Sequence, residues 1–361
     1  LELETASPRK LLDPIALCEH GYIPDVLTRL GMRQLMRQRL RDEGSSDGEL
    51  RSQRYHRFVE QLRASPIAIE TKAANEQHYE VPAEFFKLHL GPRLKYSCCL
   101  YPSGGETLAQ AGEAMLRLYA ERAALGDGMR ILDLGCGWGS LSLWLAEKYP
   151  NSSIVGLSNS HGQREFIERC AAERGLRNLT ILTGNVAEFD FPAGGVAAQF
   201  DRVMSIEMFE HMKNYGLLLA KIARWLKPQG KLFVHIFVHK LLAYHFEVQG
   251  QSDWMSQYFF TGGTMPSENL LLNFQDDLRL ERQWWVSGQH YEKTSNHWLE
   301  AMDSQRSAIM EVFRAGYGPA QAALWFQRWR MFYMAVAELF GYAQGNEWGV
   351  GHYLFAPRAS A

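Results

Sequence analysis

The chain has 361 residues, 46% of them hydrophobic and 22% charged, with a formal net charge of −2. That length allows one large core with a smaller helical unit beside it, and the near-balanced charge lacks the basic surplus that nucleic-acid binding draws on. The cysteines Cys18, Cys98, Cys99, Cys136 and Cys170 are odd in number and show no paired ligand spacing, which points to reduced thiols in the cytoplasm and to no metal site.

In chain order, Leu11 to Ala64 read as helical. Leu27, Leu30, Leu35 and Leu40 recur at near-helical spacing among Arg29, Arg33, Arg37, Arg39 and Arg41, until Gly44-Ser45-Ser46-Asp47-Gly48 breaks the run. Acidic residues follow at once, so the arginines read as a solvated face, with contact to an acidic membrane surface as the alternative. Leu1–Lys10 lacks the apolar centre of a signal peptide. The longest apolar run, Met331–Ala343, is too short to span a bilayer, so no membrane partner is expected.

From Met129 short β runs alternate with helical stretches. The runs are Arg130–Leu134, Ser153–Leu157, Leu179–Thr183, Asp201–Ile206 and Lys231–Val238, with helices at Leu141–Lys148, Gln163–Arg174 and Tyr215–Leu226 between them. This rhythm predicts a mostly parallel sheet covered by helices on both faces. It lapses after Val238 and resumes with a strand near Leu278–Val286, two helices, and a last strand near Trp348–Phe355. Seven strands are expected in all. The domain reading is an N-terminal helical extension over 1–75 and an α/β catalytic domain over 76–361. Segments 238–275 and 288–342 would form a cap on the acceptor side.

Ile131-Leu132-Asp133-Leu134-Gly135-Cys136-Gly137-Trp138-Gly139 is the most informative short motif. A buried strand enters a turn with glycines at 135, 137 and 139, which lets the backbone approach a ligand at a helix N-terminus. The spacing resembles the nucleoside-binding turn of Rossmann-like class I methyltransferases, which implies S-adenosyl-L-methionine as cofactor and S-adenosyl-L-homocysteine as product. Nucleotide folds commonly place a carboxylate at the end of the second strand for the ribose. Here the residues are Ser158 and Asn159, so Ser158 and Gln163 would supply the hydrogen bonds instead. Asn185 and Val186 stand where the adenine would lie.

A second motif, Ile206-Glu207-Met208-Phe209-Glu210-His211-Met212, follows the fourth strand. Three ionisable groups at the mouth of a ligand crevice are costly unless used or paired. The plainer alternative has Glu207 and Glu210 capping the next helix or pairing with Lys213. With Lys95–Cys99, Tyr258–Ser267, Glu210–Leu219, Asn273–Asp277 and Glu338–Tyr342, the motif resembles the cyclopropane fatty acid synthase superfamily. Its coclaurine N-methyltransferase branch, which methylates benzylisoquinoline amines, is the nearer likeness. The resemblance runs from Glu76 to Phe355.

The resemblance implies that Tyr96 and Ser97 close over the methionine end of the cofactor, with Asp133, Gly135, Gly137 and Gly139 beside it. Glu207, Glu210 and His211 would orient and deprotonate the amine. Tyr79, Cys98, His235, Tyr258, Phe259, His290, Trp329, Phe332 and Tyr333 would shape the acceptor pocket. Lipid-cyclopropanating members hold a bicarbonate with a cysteine, a glutamate, a histidine and a tyrosine. Cys98, Glu210 and His235 fill three of those places and Phe332 the fourth, so a bicarbonate would be held with one hydroxyl fewer. A small-molecule amine is the expected partner, and a homodimer is one assembly open to such a chain.

Trp325, Trp329, Phe332, Val336 and Phe340 form a helical stripe that reads first as core packing. An aromatic wall also suits a flat ring carrying a cationic nitrogen. Two other functions compete with amine methylation: modification of unsaturated acyl chains, and cofactor binding without catalysis.

Overall fold

The alternating runs close into one sheet. The computed structural model describes residues 13–69, 82–191, 199–247 and 253–358. Nine strands are present there: β1 Arg130–Leu134, β2 Ser153–Ser158, β3 Leu179–Thr183, β4 Phe200–Ile206, β5 Leu226–His239, β6 Tyr244–His245, β7 Thr264–Met265, β8 Leu278–Val286 and β9 Trp348–Pro357. Seven of them form a sheet in the order β3-β2-β1-β4-β5-β9-β8, and β6 pairs with β7 separately. The first five are mutually parallel. β9 returns antiparallel between β5 and β8. This is the class I methyltransferase fold, and the seven expected strands are all in it.

The period-2 alternation of a strand shows in how the sheet is buried. Ile131, Ile154, Ile181, Met204 and Phe233 belong to one apolar cluster, and Leu132, Val155, Val203 and Val234 to a second. With both faces covered, β1 buries Ile131, Leu132 and Leu134 on its two sides, with only Asp133 polar among its buried residues. Helices α1 Pro14–Glu19, α2 Asp25–Glu43, α3 Gly48–Ala64, α4 Ala83–Lys87, α5 Leu108–Arg122, α6 Ser140–Lys148, α7 His161–Glu173, α8 Tyr215–Trp225, α9 Trp254–Tyr258, α10 Gly288–Ser304, α11 Arg306–Tyr317 and α12 Ala322–Gly341 surround it. Among the described residues no helix is long and apolar enough to cross a membrane.

Three expectations need correction. The helical stretch before β9 is three helices rather than two. The chain breaks at Gln305 and again at Gly318, whose φ of +82° suits glycine and which precedes Pro319. β5 begins at Leu226, which pairs with Phe200 across a register shift; Pro228 keeps α8 from running further. The arginine face of α2 is not simply solvated. Arg29 reaches Glu338 of α12 at 3.0 Å, and Arg33 bonds the other oxygen of the same carboxylate. In return Arg330 reaches Asp25 at 2.6 Å and Arg328 reaches Glu19 at 2.8 Å. The N-terminal helices are thus pinned across α12, the helix whose other face carries the aromatic stripe.

Candidate active site

The carboxyl ends of β1, β2 and β4 open onto a crevice, as parallel sheets require. At the turn after β1, Gly135, Gly137 and Gly139 have φ of +84°, +51° and +79°. The three glycines have different reasons to lack a side chain. A Cβ on Gly135 would lie 2.7 Å from Met208 Cγ, and one on Gly139 would lie 2.7 Å from Ile167 Cγ1. A Cβ on Gly137 would meet nothing within 4 Å. Gly135 and Gly139 therefore let protein pack on protein, while Gly137 faces open space.

Two cavities share that turn. One, of about 770 Å³ counting space open to solvent, is lined by Ser158, Asn159, Asn185, Val186 and Met208. The other, of about 970 Å³ on the same count, is lined by Tyr96, Ser97, Asp133, Trp138, Ser140 and Glu210. Gly135, Gly137, Gln163, Glu207 and His211 border both. The expected cofactor residues thus gather around one continuous crevice, except Gly139, which lines neither part.

Unused polar atoms in the crevice test whether a nucleoside cofactor suits it. Trp138 Nε1, Ser140 Oγ and Gln163 Nε2 are buried without a hydrogen-bond partner among the described residues. Such atoms are costly unless a ligand or water meets them. The Ser158 hydroxyl donates to Gln163 Oε1 at 2.7 Å. Ser158 therefore orients the amide and leaves the Gln163 N–H unspent at the crevice. Asp133 accepts from Ser142 Oγ at 2.6 Å, and burial lifts its carboxyl to about 6. Unspent donors and a buried carboxyl around one crevice fit a ribose, an adenine and an amino-acid tail. Gln163, Asn185, Asp133, Ser140 and the backbone of the turn would hold them. Trp138 and Ser140 sit inside and just after the glycine motif, and only their burial marks them out.

The acidic motif lies where the two cavities meet. Glu207 has φ +48°, a left-handed backbone for a residue other than glycine. Its own N–H bonds the His235 carbonyl at 2.8 Å. Its carboxylate is fully engaged. Oε1 accepts from the Cys98 N–H at 3.0 Å and faces His235 Nε2 at 3.1 Å, and Oε2 accepts from the Tyr291 hydroxyl at 2.6 Å. Glu210 differs. It is 1% exposed, and its Oε2 has no partner among the described residues. Burial, and then the charge of Glu207, push its carboxyl well above the ordinary 4.5. His211 stacks flat on Phe260 with ring centroids 5.9 Å apart. Neither glutamate pairs with Lys213, whose amine instead bonds His245, Thr264 Oγ1 and the Gly263 carbonyl.

The acceptor-side expectations divide. Tyr79 lies outside the described residues. Phe332 lines the larger cavity, with Phe259 stacked behind it at 4.4 Å. Trp329 and Tyr333 are wholly buried off the cavity, and the Tyr333 hydroxyl lies 2.6 Å from His89 Nε2. The Tyr258 hydroxyl accepts from Arg328, and His290 Nδ1 accepts from the Tyr101 N–H. The Cys98 thiol donates to the Cys99 carbonyl at 3.2 Å. His235 is 0% exposed, behind Glu207. None of these six borders the cavities. The aromatic wall is instead Tyr96, Tyr119, Trp138, Phe237, Phe260, Tyr291, Trp298 and Phe332. Tyr291 and Phe237 are residues the sequence motifs did not reveal.

Residues 68–341 match the family model described as mycolic acid cyclopropane synthetase. The chain is 37% identical over 361 residues to (S)-coclaurine N-methyltransferase of Thalictrum flavum subsp. glaucum, covering 98% of this chain and 99% of that one. It is 37% identical over 340 residues to the enzyme of the same name from Papaver somniferum, covering 93% and 95%. The crystal structure of coclaurine N-methyltransferase bound to N-methylheliamine and S-adenosylhomocysteine superposes with a TM-score of 0.91 at 35% identity, over 96% of this chain and 99% of that one.

Proposed function

The chain belongs to the mycolic acid cyclopropane synthetase family and is an S-adenosylmethionine-dependent methyltransferase, and from that premise we propose that it methylates the nitrogen of a small aromatic amine of the tetrahydroisoquinoline type. One observation carries this reading. A buried carboxylate, Glu210, whose Oε2 has no partner among the described residues, stands in a cavity walled by aromatic side chains and continuous with the glycine turn.

The cofactor, when bound, supplies a methyl group made electrophilic by its sulfonium. The rest is work for this chain. An amine near neutral pH is mostly protonated and has no lone pair to offer. Glu210, made a stronger base by burial, takes that proton, with His211 beside it. Glu207, held at four points, contributes fixed negative charge facing the cation. The aromatic wall excludes water and favours a cationic ring nitrogen. Holding nitrogen and methyl in line supplies much of the acceleration.

Of the four positions that the resemblance assigns to a bicarbonate, Cys98, Glu210, His235 and Phe332, only Glu210 and Phe332 border the cavity. That favours an amine over an acyl chain. The test is S-adenosylhomocysteine formation followed by mass spectrometry, with tetrahydroisoquinolines and phenethylamines beside unsaturated phospholipid vesicles. A gain of one methyl mass on an amine is the expected result. Product only from vesicles would replace amine methylation with acyl-chain modification.

A further inference from the structure

Behind Glu207 lies a buried polar network that the methyl-transfer reading leaves unused. His235 on β5 and His352 on β9 are directly paired across the antiparallel strands, and both are 0% exposed. His235 Nδ1 lies 2.8 Å from His352 Nε2, and His352 Nδ1 lies 2.6 Å from Arg122 Nη1 at the end of α5. A second arm reaches the same atom. The Lys95 amine bonds Ser97 Oγ, the Cys98 carbonyl and Tyr119 Oη, and Tyr119 Oη lies 3.0 Å from His235 Nδ1.

The direction of the bonds through the two histidines follows from Arg122, while Lys95, a donor only, sets those of the second arm. A guanidinium has donors and no acceptor, so His352 Nδ1 must accept, and the His352 proton is on Nε2. That N–H points at His235 Nδ1, which must accept in turn. The His235 proton is therefore also on Nε2, aimed at Glu207 Oε1 at 3.1 Å.

We propose that Arg122 and His352 are positioning residues that act through His235 to keep Glu207 ionised, and so keep Glu210 as the carboxylate that takes the amine proton. The proposal rests on the amine-methylation reading for its kinetic consequence. Remove Arg122, and the chain can reverse once the Tyr119 hydroxyl turns its proton away from His235 Nδ1: His352 Nδ1–H faces outward, His235 Nδ1 donates to His352, and a protonated Glu207 donates to His235 Nε2. With Glu207 neutral, the like-charge repulsion on Glu210 disappears and Glu210 becomes a weaker base. The groups facing Glu207 are His235 from β5, Tyr291 from α10, the Cys98 N–H and the Lys95 charge from the segment before α5, and Glu210 and His211 from the turn after β4. Burial and the charges of Lys95 and Arg122 hold His235 well below its ordinary titration range, which agrees with a neutral ring.

The experiment is ¹⁵N NMR of histidine-labelled full-length protein, with resonances assigned through His352→Gln, joined to pH profiles of kcat/KM for Arg122→Met and Arg122→Lys. Both rings should be Nε2–H tautomers in the native protein and in Arg122→Lys. Arg122→Met should convert His352 to the Nδ1–H form and move the acid limb of the profile down by about one pH unit. An Nδ1–H tautomer at His352 in the native protein would overturn the proposal. So would a folded Arg122→Met with native tautomers and an unmoved limb. The tautomers decide the matter even if no amine proves to be a substrate, so the two readings can fail separately.

Discussion

Replacing Glu210 with glutamine should lower activity and raise stability at once. The substitution keeps shape and volume but removes both the charge and the site for the amine proton. A positioned general base contributes about 10²–10⁴ in rate. Glu210→Gln should therefore reduce kcat/KM by that factor, or about 3–5 kcal/mol of transition-state stabilisation. The stability effect follows from the carboxyl's raised position. Burial and the Glu207 charge lift Glu210 well above 4.5 in the folded chain. A group raised on folding stabilises the fold fully below its unfolded value, and that contribution is lost as pH rises through the folded value. Wild type therefore carries a strain at pH 8 that the glutamine variant lacks, and much less of it at pH 5. Thermal melts at both pH values, beside initial rates of S-adenosylhomocysteine formation, read out the two effects. Full activity in Glu210→Gln would refute the assigned base. A Tm difference that does not grow from pH 5 to pH 8 would refute the reasoning from an unpartnered buried charge.

The glycines of the turn should separate by mechanism. Gly137→Ala meets open space, so Tm should fall only by the left-handed backbone cost of about 1–2 kcal/mol, while calorimetry shows S-adenosylhomocysteine binding weakened more than tenfold. Gly135→Ala and Gly139→Ala place a Cβ at 2.7 Å from Met208 and Ile167, so their Tm should fall further than that of Gly137→Ala. Asp133 is lifted from 3.8 to about 6, so the stability it adds in acid is lost as pH rises from about 4 through 6; Asp133→Asn should gain Tm over wild type at pH 8 and not at pH 4. Glu338→Gln leaves Arg29 and Arg33 without their shared carboxylate. Urea unfolding should show a loss of about 1–3 kcal/mol, and limited proteolysis should cut first in α2 and α3.

The strand–helix rhythm and the two motifs were legible because each is local. β1 through β5 could be located because each carries a short apolar run that buries against the helices, and the positive-φ turn after β1 favours glycine. Glu207, Glu210 and His211 stood out because ionisable residues at a strand's carboxyl end are rare without a use. The acceptor wall was harder to see. Trp329 and Phe332 are three residues apart on one helix, yet Trp329 is sealed inside and Phe332 borders the cavity. Periodicity finds the buried face of a helix, but it cannot tell which part of that face meets protein and which meets a ligand.

The sequence by itself therefore determined the sheet, the glycine turn and the acidic motif, since these depend on neighbours along the chain. Only the tertiary structure decided that Glu207 is fully bonded while Glu210 has an oxygen without a partner. The partners of Glu207 are Cys98, His235 and Tyr291, brought together by separate elements. The tertiary structure alone also set His352 beside His235, because β9 enters the sheet antiparallel between β5 and β8. A proton's place depends on every donor and acceptor within a few ångströms, and long-range packing chooses those.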